Sequence, residues 1–566
     1  MPISRRALLH AAASAFGSSL LPTLPALPNV SNSRIEVLLD EQSTVISPDL
    51  YGYLLENVGT SIYDGVWVGE RSKIPNVHGI RKALIDRLRD IKASVIRWPG
   101  GNFADYYDWR DGVGPKAARP RRTSMWSEFM PAEAPNGPQR FDPNEFGTPE
   151  YMQLCRLSEG RPFLNANIRG LTAQEFSSWV EYCNSPSGST TLADLRNRDG
   201  SAEPYGVHYW GIGNEAWAAG GDMTVEDYAG LYKRFTSNVP KYGFNLAFVA
   251  CGGPPPTTDN EWVREFLRIC KKALIPVPIS AMSIHYYSTN LLEDMRPGQT
   301  IEQFLPDEDD WARLTPDAVA FNTSDWYDSL EKSAKMDNVI ERCWDAMAEF
   351  DPGHKIKIAV DEWGAFYKGT ALNTFNLRGR PVTLRDALAA ALTLDIFHKH
   401  ADKLLLALFT GLINQEGGLF QAEGDKFVAT PIYHVFRLYS AHQGARALRT
   451  VFDAPATHQE RRDTMSSLRV LSGSASIRDH EVTLSVVNSH ASESVEAEIA
   501  IRGGEVISGT ATTLTHTDIH AQNTFDVPER VRPVTSQLRA RGATFRHVFP
   551  AASVTVLTLP LKGGKS

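Results

Sequence analysis

Between Tyr51 and Gln443 the chain alternates short apolar runs with segments of helical period, eight times over. The runs are Tyr51–Leu55, Ser94–Trp98, Pro162–Ile168, Val207–Gly213, Leu246–Cys251, Ala281–Tyr286, Ile356–Val360 and Lys403–Phe409. The helical segments are His78–Lys92, Thr148–Glu159, Thr172–Cys183, Val225–Tyr242, Asn260–Leu274, Asp325–Phe350, Leu384–His400 and Pro431–His442. In the first of these, Ile80, Leu84, Ile85, Leu88 and Ile91 fall on one face at 3.6 residues per turn. Thr172 and Glu175 have the spacing of a capping box, which starts a helix. Buried strands connected through helices pair in parallel, and eight such units predict a (β/α)8 TIM barrel. A doubly wound open sheet is the alternative. It would want a Gly-rich phosphate turn after its first strand, and Tyr51-Gly52-Tyr53 is not one.

From about Gly444 the period changes to two. Glu481-Val482-Thr483-Leu484-Ser485-Val486-Val487, the run from Ser494 to Ile501, and Val554-Thr555-Val556-Leu557-Thr558-Leu559 read as strands of a jelly-roll-like β-sandwich. Ser33–Leu39 reads as one further strand with no partner in the barrel, so it is expected to join the sandwich. The expected division is 1–32 signal and linker, 33–50 the added strand, 51–443 the barrel and 444–566 the C-terminal sandwich. A length of 566 residues suits two such domains.

Ser4-Arg5-Arg6 precedes an apolar stretch from Ala7 to about Leu21 and a Pro-rich segment to Pro28. This is the layout of an export signal, of twin-arginine type, and predicts a periplasmic or secreted protein with no membrane span in its mature form. The five cysteines, Cys155, Cys183, Cys251, Cys270 and Cys343, have the spacing of neither a disulfide framework nor a zinc motif and are expected to be buried thiols. A formal net charge of −8 argues against a nucleic-acid partner.

Barrel strands deliver their C-terminal residues to one pocket. The residues there are Glu56, Arg97 with Gly100-Gly101-Asn102, Asn167, Asn214-Glu215, His285-Tyr286-Tyr287 and Glu362-Trp363. Carboxylates and amides bind hydroxyl groups, and aromatic faces take the apolar face of a sugar ring, so the set suits a neutral polyhydroxyl ligand. No His-x-x-x-His or Glu-x-x-His pair in helical register lies among the candidates, and no Gly-x-Ser-x-Gly follows a strand. Neither a metal nor a cofactor is expected. The fourth and seventh strands lie across the barrel, so Glu215 and Glu362 should face each other. Two opposed carboxylates imply glycoside cleavage: one protonates the leaving oxygen, and the other attacks the anomeric carbon or activates water.

Several motifs resemble glycoside hydrolase family 51. They are Arg97-Trp98-Pro99-Gly100-Gly101-Asn102-Phe103-Ala104-Asp105 with Trp109 and Asp111–Pro115, Gly211-Ile212-Gly213-Asn214-Glu215, Ser283–Tyr287, Val360-Asp361-Glu362-Trp363-Gly364, and Thr430-Pro431-x-Tyr433-His434. The resemblance implies α-L-arabinofuranosidase activity on arabinan, arabinoxylan or their oligosaccharides, a barrel plus a β-sandwich, no cofactor, and a homo-oligomer, often a hexamer. It makes Glu215 the acid/base and Glu362 the nucleophile of a retaining double displacement. It gives Glu56, Arg97, Asn102, Asn214, His285 and Tyr287 to the substrate or to positioning the carboxylates, while Trp363, read from the strand ends, is expected to form an aromatic wall of the pocket. Tyr287 and Arg97 are expected to donate to Glu362, and Glu215 is expected in a poorly solvated place close to it. Two stretches depart from the family pattern: Phe366 stands at a position often taken by Trp, and Gly411–Gly418 lacks the family's glutamine pattern. An acidic insertion around Glu308-Asp309-Asp310 would enlarge the loop over the pocket.

Overall fold

The structure, a computed structural model, describes residues 33–127, 140–254, 260–288, 316–367, 379–461 and 464–563. Its first strand is β1 (Ser33–Val45). Eight parallel strands then close into a barrel: β2 (Gly52–Leu54), β3 (Val95–Trp98), β4 (Arg161–Ala166), β5 (Tyr209–Ile212), β6 (Ala247–Ala250), β7 (Ala281–Tyr287), β8 (Lys357–Gly364) and β9 (Leu404–Thr410). β9 pairs with β2 to complete the ring.

The two-residue period of these strands sorts the barrel interior into layers. Val95, Phe163, Ala281, Ala359 and Leu408 belong to one inner apolar cluster. Two residues further along the same strands come Arg97, Asn165, Ser283, Asp361 and Thr410, all buried. An apolar plug therefore underlies a polar layer at the C-terminal strand ends. Each large plug side chain contributes on the order of 1.5–3 kcal/mol through burial. The intervening residues, among them Ile96, Leu164, Trp210 and Val360, face outward into the main core beneath the helices.

The helices follow the expected order with local differences. The first begins at Lys82, because Ile80 and Arg81 pair with Asn76 and Val77 in a small hairpin. Thr172 and Glu175 form the capping box of Ala173–Asn184. The fourth stops at Thr236, since Ser237 is already extended ahead of Pro240. Residues 325–350, expected as one helix, form two, Thr323–Ala334 and Met336–Ala348. Thr191–Arg198 is a helix that periodicity did not predict.

The C-terminal strands are β10 (Arg446–Asp453), β11 (Leu471–Arg478), β12 (Glu481–Asn488), β13 (Val495–Arg502), β14 (Gly509–Thr515), β15 (Pro533–Leu538), β16 (Thr544–Phe549) and β17 (Ser553–Pro560). With β1 they form nine strands in the order β15-β14-β17-β12-β11-β10-β1-β13-β16. As expected, β1 joins this sheet, antiparallel to β10 and parallel to β13. Ile35, Leu484, Phe545 and Leu557 share one buried cluster, against which Leu538 of the far edge also packs. The sheet thus folds over on itself as a sandwich. The helix Leu384–Lys399 lies between barrel and sandwich, which is why it is buried on nearly every side.

All five cysteines are buried and unpaired. The expected export signal (1–32) and the acidic insertion at 308–310 lie outside the described residues. Among the described residues no helix is long and apolar enough to cross a membrane.

Candidate active site

The site is assembled from the polar layer and the residues just above it. Arg97 on β3, 1% exposed, is its hub. Its Nη1 donates to Oε1 of Glu362 at 2.9 Å, and its Nη2 donates to Oδ1 of Asn214 at 2.7 Å. Asn214 in turn donates from Nδ2 to Oδ1 of Asn102 at 3.0 Å. Tyr287, at the end of β7, donates its hydroxyl to Oε2 of Glu362 at 2.8 Å. The close approach of the β3 loop requires a glycine: a Cβ on Gly101 would stand 2.6 Å from Oε1 of Glu362.

His285 links the carboxylates. Its Nδ1 donates to Oε1 of Glu215 at 2.9 Å and lies 3.3 Å from Oε2 of Glu362, while Nε2 lies 3.5 Å from Oδ1 of Asp361. An oxygen of Glu215 and an oxygen of Glu362 lie within 4.8 Å of each other. These two oxygens and the His285 nitrogen also have the spacing of metal ligands, but both Glu362 oxygens already accept from Arg97 and Tyr287.

A bulge in β8 makes this arrangement possible. Ser283 pairs with Ala359 and His285 with Glu362, so β8 carries one more residue than β7 over the same span. The extra residue lets two consecutive acids, Asp361 and Glu362, both turn inward. Asp361 accepts from Ser283 at 2.5 Å and lies 3.7 Å from Arg97 Nε.

The charges are set by burial and by these neighbours. Burial alone would lower the His285 pKa, but Glu362, Asp361 and Glu215 more than offset it and hold it well above the ordinary imidazole range. Burial pushes Glu56 up to about 8, against an N–H donated by Phe103. Asp105 is likewise pushed up by burial, to about 7, although it accepts three backbone N–H groups. Asp361 is held below the usual carboxylate range: Arg97 and His285 outweigh its burial.

Of the residues singled out in the sequence, Glu56, Arg97, Asn102, Asn214, Glu215, His285, Tyr287 and Glu362 gather here, whereas Tyr286 donates to Lys332 O. Trp363 does not join them either, and its expected place on an aromatic wall is corrected. After the bulge the strand resumes its alternation and turns Trp363 outward, 2% exposed, among Phe397, Phe409 and Phe436. Asn167 is also a scaffold residue, bonded to Tyr107 O and Gly170 N. The two carboxylates differ in exposure. The Glu215 side chain is 20% exposed against 8% for Glu362, so the more open carboxylate is the one at the end of β5.

Four contributors were passed over. Asp361 and Asp105 stand inside the quoted motifs but carry no signal of direction in a one-dimensional pattern. The Thr410 hydroxyl lies 3.1 Å from the Tyr287 oxygen, to which it can donate while Tyr287 donates to Glu362. Gln415, buried in the stretch noted as lacking a glutamine pattern, holds Oε1 3.5 Å from the Glu56 N–H. Phe366 is half-buried, its ring centred 4.2 Å from that of Tyr287.

A closed parallel barrel whose fourth and seventh strands end in facing carboxylates, ringed by amides and a guanidinium, is the frame of a barrel glycosidase. Residues 87–292 match the family described as alpha-L-arabinofuranosidase 1 domain, and residues 361–553 match the alpha-L-arabinofuranosidase C-terminal domain. The chain is similar to the intracellular exo-alpha-L-arabinofuranosidase of Bacteroides ovatus, 29% identical over 96% of this chain and 98% of that one. Among solved structures, the GH51 arabinofuranosidase of Xanthomonas axonopodis pv. citri is 31% identical, with a TM-score of 0.81 over 93% of this chain and 100% of that one. The Thermotoga maritima alpha-L-arabinofuranosidase, solved as an arabinose complex, is 26% identical, with a TM-score of 0.77 over 94% and 100%. The chain belongs to glycoside hydrolase family 51.

Proposed function

We propose that this chain is an exo-acting α-L-arabinofuranosidase that removes non-reducing-end arabinose from arabinan, arabinoxylan or arabino-oligosaccharides by a retaining double displacement. The observation that carries the stereochemistry is the gap between Glu215 and Glu362, whose oxygens come within 4.8 Å. Retaining enzymes place their carboxyl groups about 5–5.5 Å apart, and inverting ones about 6.5–9.5 Å, to admit a water.

Glu362 is the nucleophile. Arg97 and Tyr287 each donate to one of its oxygens, which fixes the carboxylate and aims it into the pocket. Glu215 is the acid/base. Its more open position suits a group that first protonates a departing sugar and then takes a proton from entering water. In the first step Glu362 attacks the anomeric carbon as the glycosidic C–O bond breaks, and the Glu215 proton goes to the leaving oxygen. In the second, water attacks the arabinosyl ester, gives its proton to Glu215 and releases Glu362. His285 holds Glu215 at one nitrogen. Asn214, Asn102, Arg97 and Glu56 form the hydroxyl-binding wall, where Glu56, neutral below about pH 8, can donate as well as accept.

A panel of 4-nitrophenyl glycosides tests the substrate: the arabinofuranoside should be turned over far faster than the xyloside, glucoside or galactofuranoside. A preference for any of these would overturn the reading. Glu215→Ala should lose kcat/KM on oligosaccharides while largely keeping it on aryl substrates, whose leaving groups need no proton.

The reading includes export, on the arginine pair and apolar run of the first 32 residues, although the Bacteroides ovatus relative carries the name intracellular. Cell fractionation separates the two locations. It also includes a homo-oligomer, a hexamer by family resemblance, which sedimentation equilibrium would measure.

A further inference from the structure

The turn that carries Asn214 and Glu215 is contorted. Gly213 has φ +80°, and Glu215 has φ +40°, in the left-handed region where a residue with a side chain is strained. Such a conformation is strained and persists only where its surroundings over-determine it. The direction of the Glu215 side chain follows from this backbone, so whatever holds the turn also aims the proposed acid.

Asp105 holds it. This residue lies in the loop after β3, 1% exposed. Its Oδ2 accepts from the Asn214 N–H at 2.9 Å, and its Oδ1 accepts from the N–H groups of Ile168 at 2.8 Å and Arg169 at 3.3 Å. One carboxylate therefore ties the loop after β3 to the chain leaving β4 and to the turn leaving β5. Among the described residues no cationic side chain lies within 4.0 Å of it, so ion pairing does not explain its burial. What it offers is lone pairs to three backbone donors, two of which, on the buried residues Ile168 and Asn214, would otherwise go unpaired.

We infer that Asp105 is a positioning residue for the reaction, fixing the Asn214–Glu215 turn so that the Glu215 carboxyl meets the leaving oxygen while Asn214 stays in line with Arg97 and Asn102. The inference rests on the acid role given to Glu215 above. Asp105 touches no substrate atom in this account. Its effect passes through the backbone, where a misplacement of about 1 Å costs on the order of 10²-fold in rate.

The test is Asp105→Asn, which preserves shape but replaces one acceptor by an amide donor facing an N–H, and Asp105→Ser, a shorter acceptor that can serve only one strand end. Active sites are counted by burst titration with a slowly released 2-deoxy-2-fluoro-arabinofuranosyl substrate, so that rates refer to competent sites only. The readout is kcat/KM, which reports the glycosylation step, on an arabino-oligosaccharide and on the 4-nitrophenyl arabinofuranoside. The expected result is a loss at least about 10-fold larger on the oligosaccharide, whose leaving group needs the proton, than on the aryl substrate, with Asp105→Ser showing the same asymmetry. Equal losses on both substrates, or none, would overturn the inference. So would variants without titratable sites, because Asp105 would then serve the barrel as a whole. A wild-type protein that neither titrates nor cleaves the arabinofuranoside would instead remove the functional reading on which this rests.

Discussion

Nδ1 of His285 lies 2.9 Å from Oε1 of Glu215, and the same ring stands 3.3 Å from Glu362, so one imidazole serves both proposed catalytic carboxylates. Its other nitrogen faces Asp361, and the three acids together keep the ring cationic despite burial. His285→Gln keeps a donor but removes the charge. The expected outcome is a fall of about 10²-fold in kcat/KM. The acid limb of the pH–rate profile should also move to higher pH, because an ionised carboxylate loses a neighbouring cation. A lower rate with an unmoved profile would show that His285 contributes shape and not charge.

Glu56 gives the opposite limb. Its carboxyl is pushed up to about 8 by burial, so it is neutral over the acid and neutral range and ionises only above. Ionisation there adds a negative charge beside Glu362 and Glu215. Glu56→Gln is neutral at every pH. It should therefore lose the activity decline centred near pH 8, while at pH 6 it keeps its rate within about 10-fold, the cost of one altered hydrogen bond. An alkaline limb that stays near pH 8 in the variant would assign it to another group.

Trp363 separates packing from recognition. Because the ring is wedged among Phe397, Phe409 and Phe436 outside the barrel, Trp363→Ala should cost about 3–5 kcal/mol of stability, read from the urea unfolding midpoint. KM for the aryl arabinofuranoside should be unchanged in the folded fraction. A raised KM with unaltered stability would return Trp363 to the pocket wall.

The joint between barrel and sandwich carries a pH-dependent term. Asp395, on the helix Leu384–Lys399, accepts from Ser474 and Ser485 of the sandwich at 2.6 Å each, and from Tyr439 at 3.0 Å. Burial pushes its carboxyl up to about 7. A carboxyl raised in the folded state binds its proton more tightly there than in the unfolded chain, whose value is about 3.9. Its contribution to stability is thus complete below about pH 4 and is lost as pH rises through about 7. Asp395→Asn removes this term. The stability of the variant relative to wild type should rise between about pH 4 and pH 7 and be level on either side, as measured by denaturant unfolding across that range. A constant difference would mean that Asp395 enters the fold already ionised.

The barrel was legible because alternation of apolar runs and helical segments is a long-range pattern that few folds satisfy. β1 was legible as an orphan strand, and it pairs where an orphan must. The helix break at Lys335 was not, since the apolar period continues through it. Nor was the fate of Asp361, Glu362 and Trp363. A strand read with period two allows only one of two adjacent acids to face inward, and the bulge in β8 admits both and then reverses Trp363. Asp105 and Gln415 were hidden for a related reason. Their roles lie in contacts between loops far apart in sequence, Asp105 with the turn at Asn214 and Gln415 with Glu56, and no local periodicity records such contacts.

The central claim is that Glu362 forms the covalent bond and Glu215 handles the proton. It is tested most directly by Glu362→Ala assayed on 4-nitrophenyl α-L-arabinofuranoside with added azide. The variant should be nearly inactive alone and regain turnover as azide increases, and the product should be the β-configured arabinosyl azide, formed by attack from the face that Glu362 vacates. Wild-type-like activity without azide, or an α-configured azide product, would contradict the assignment.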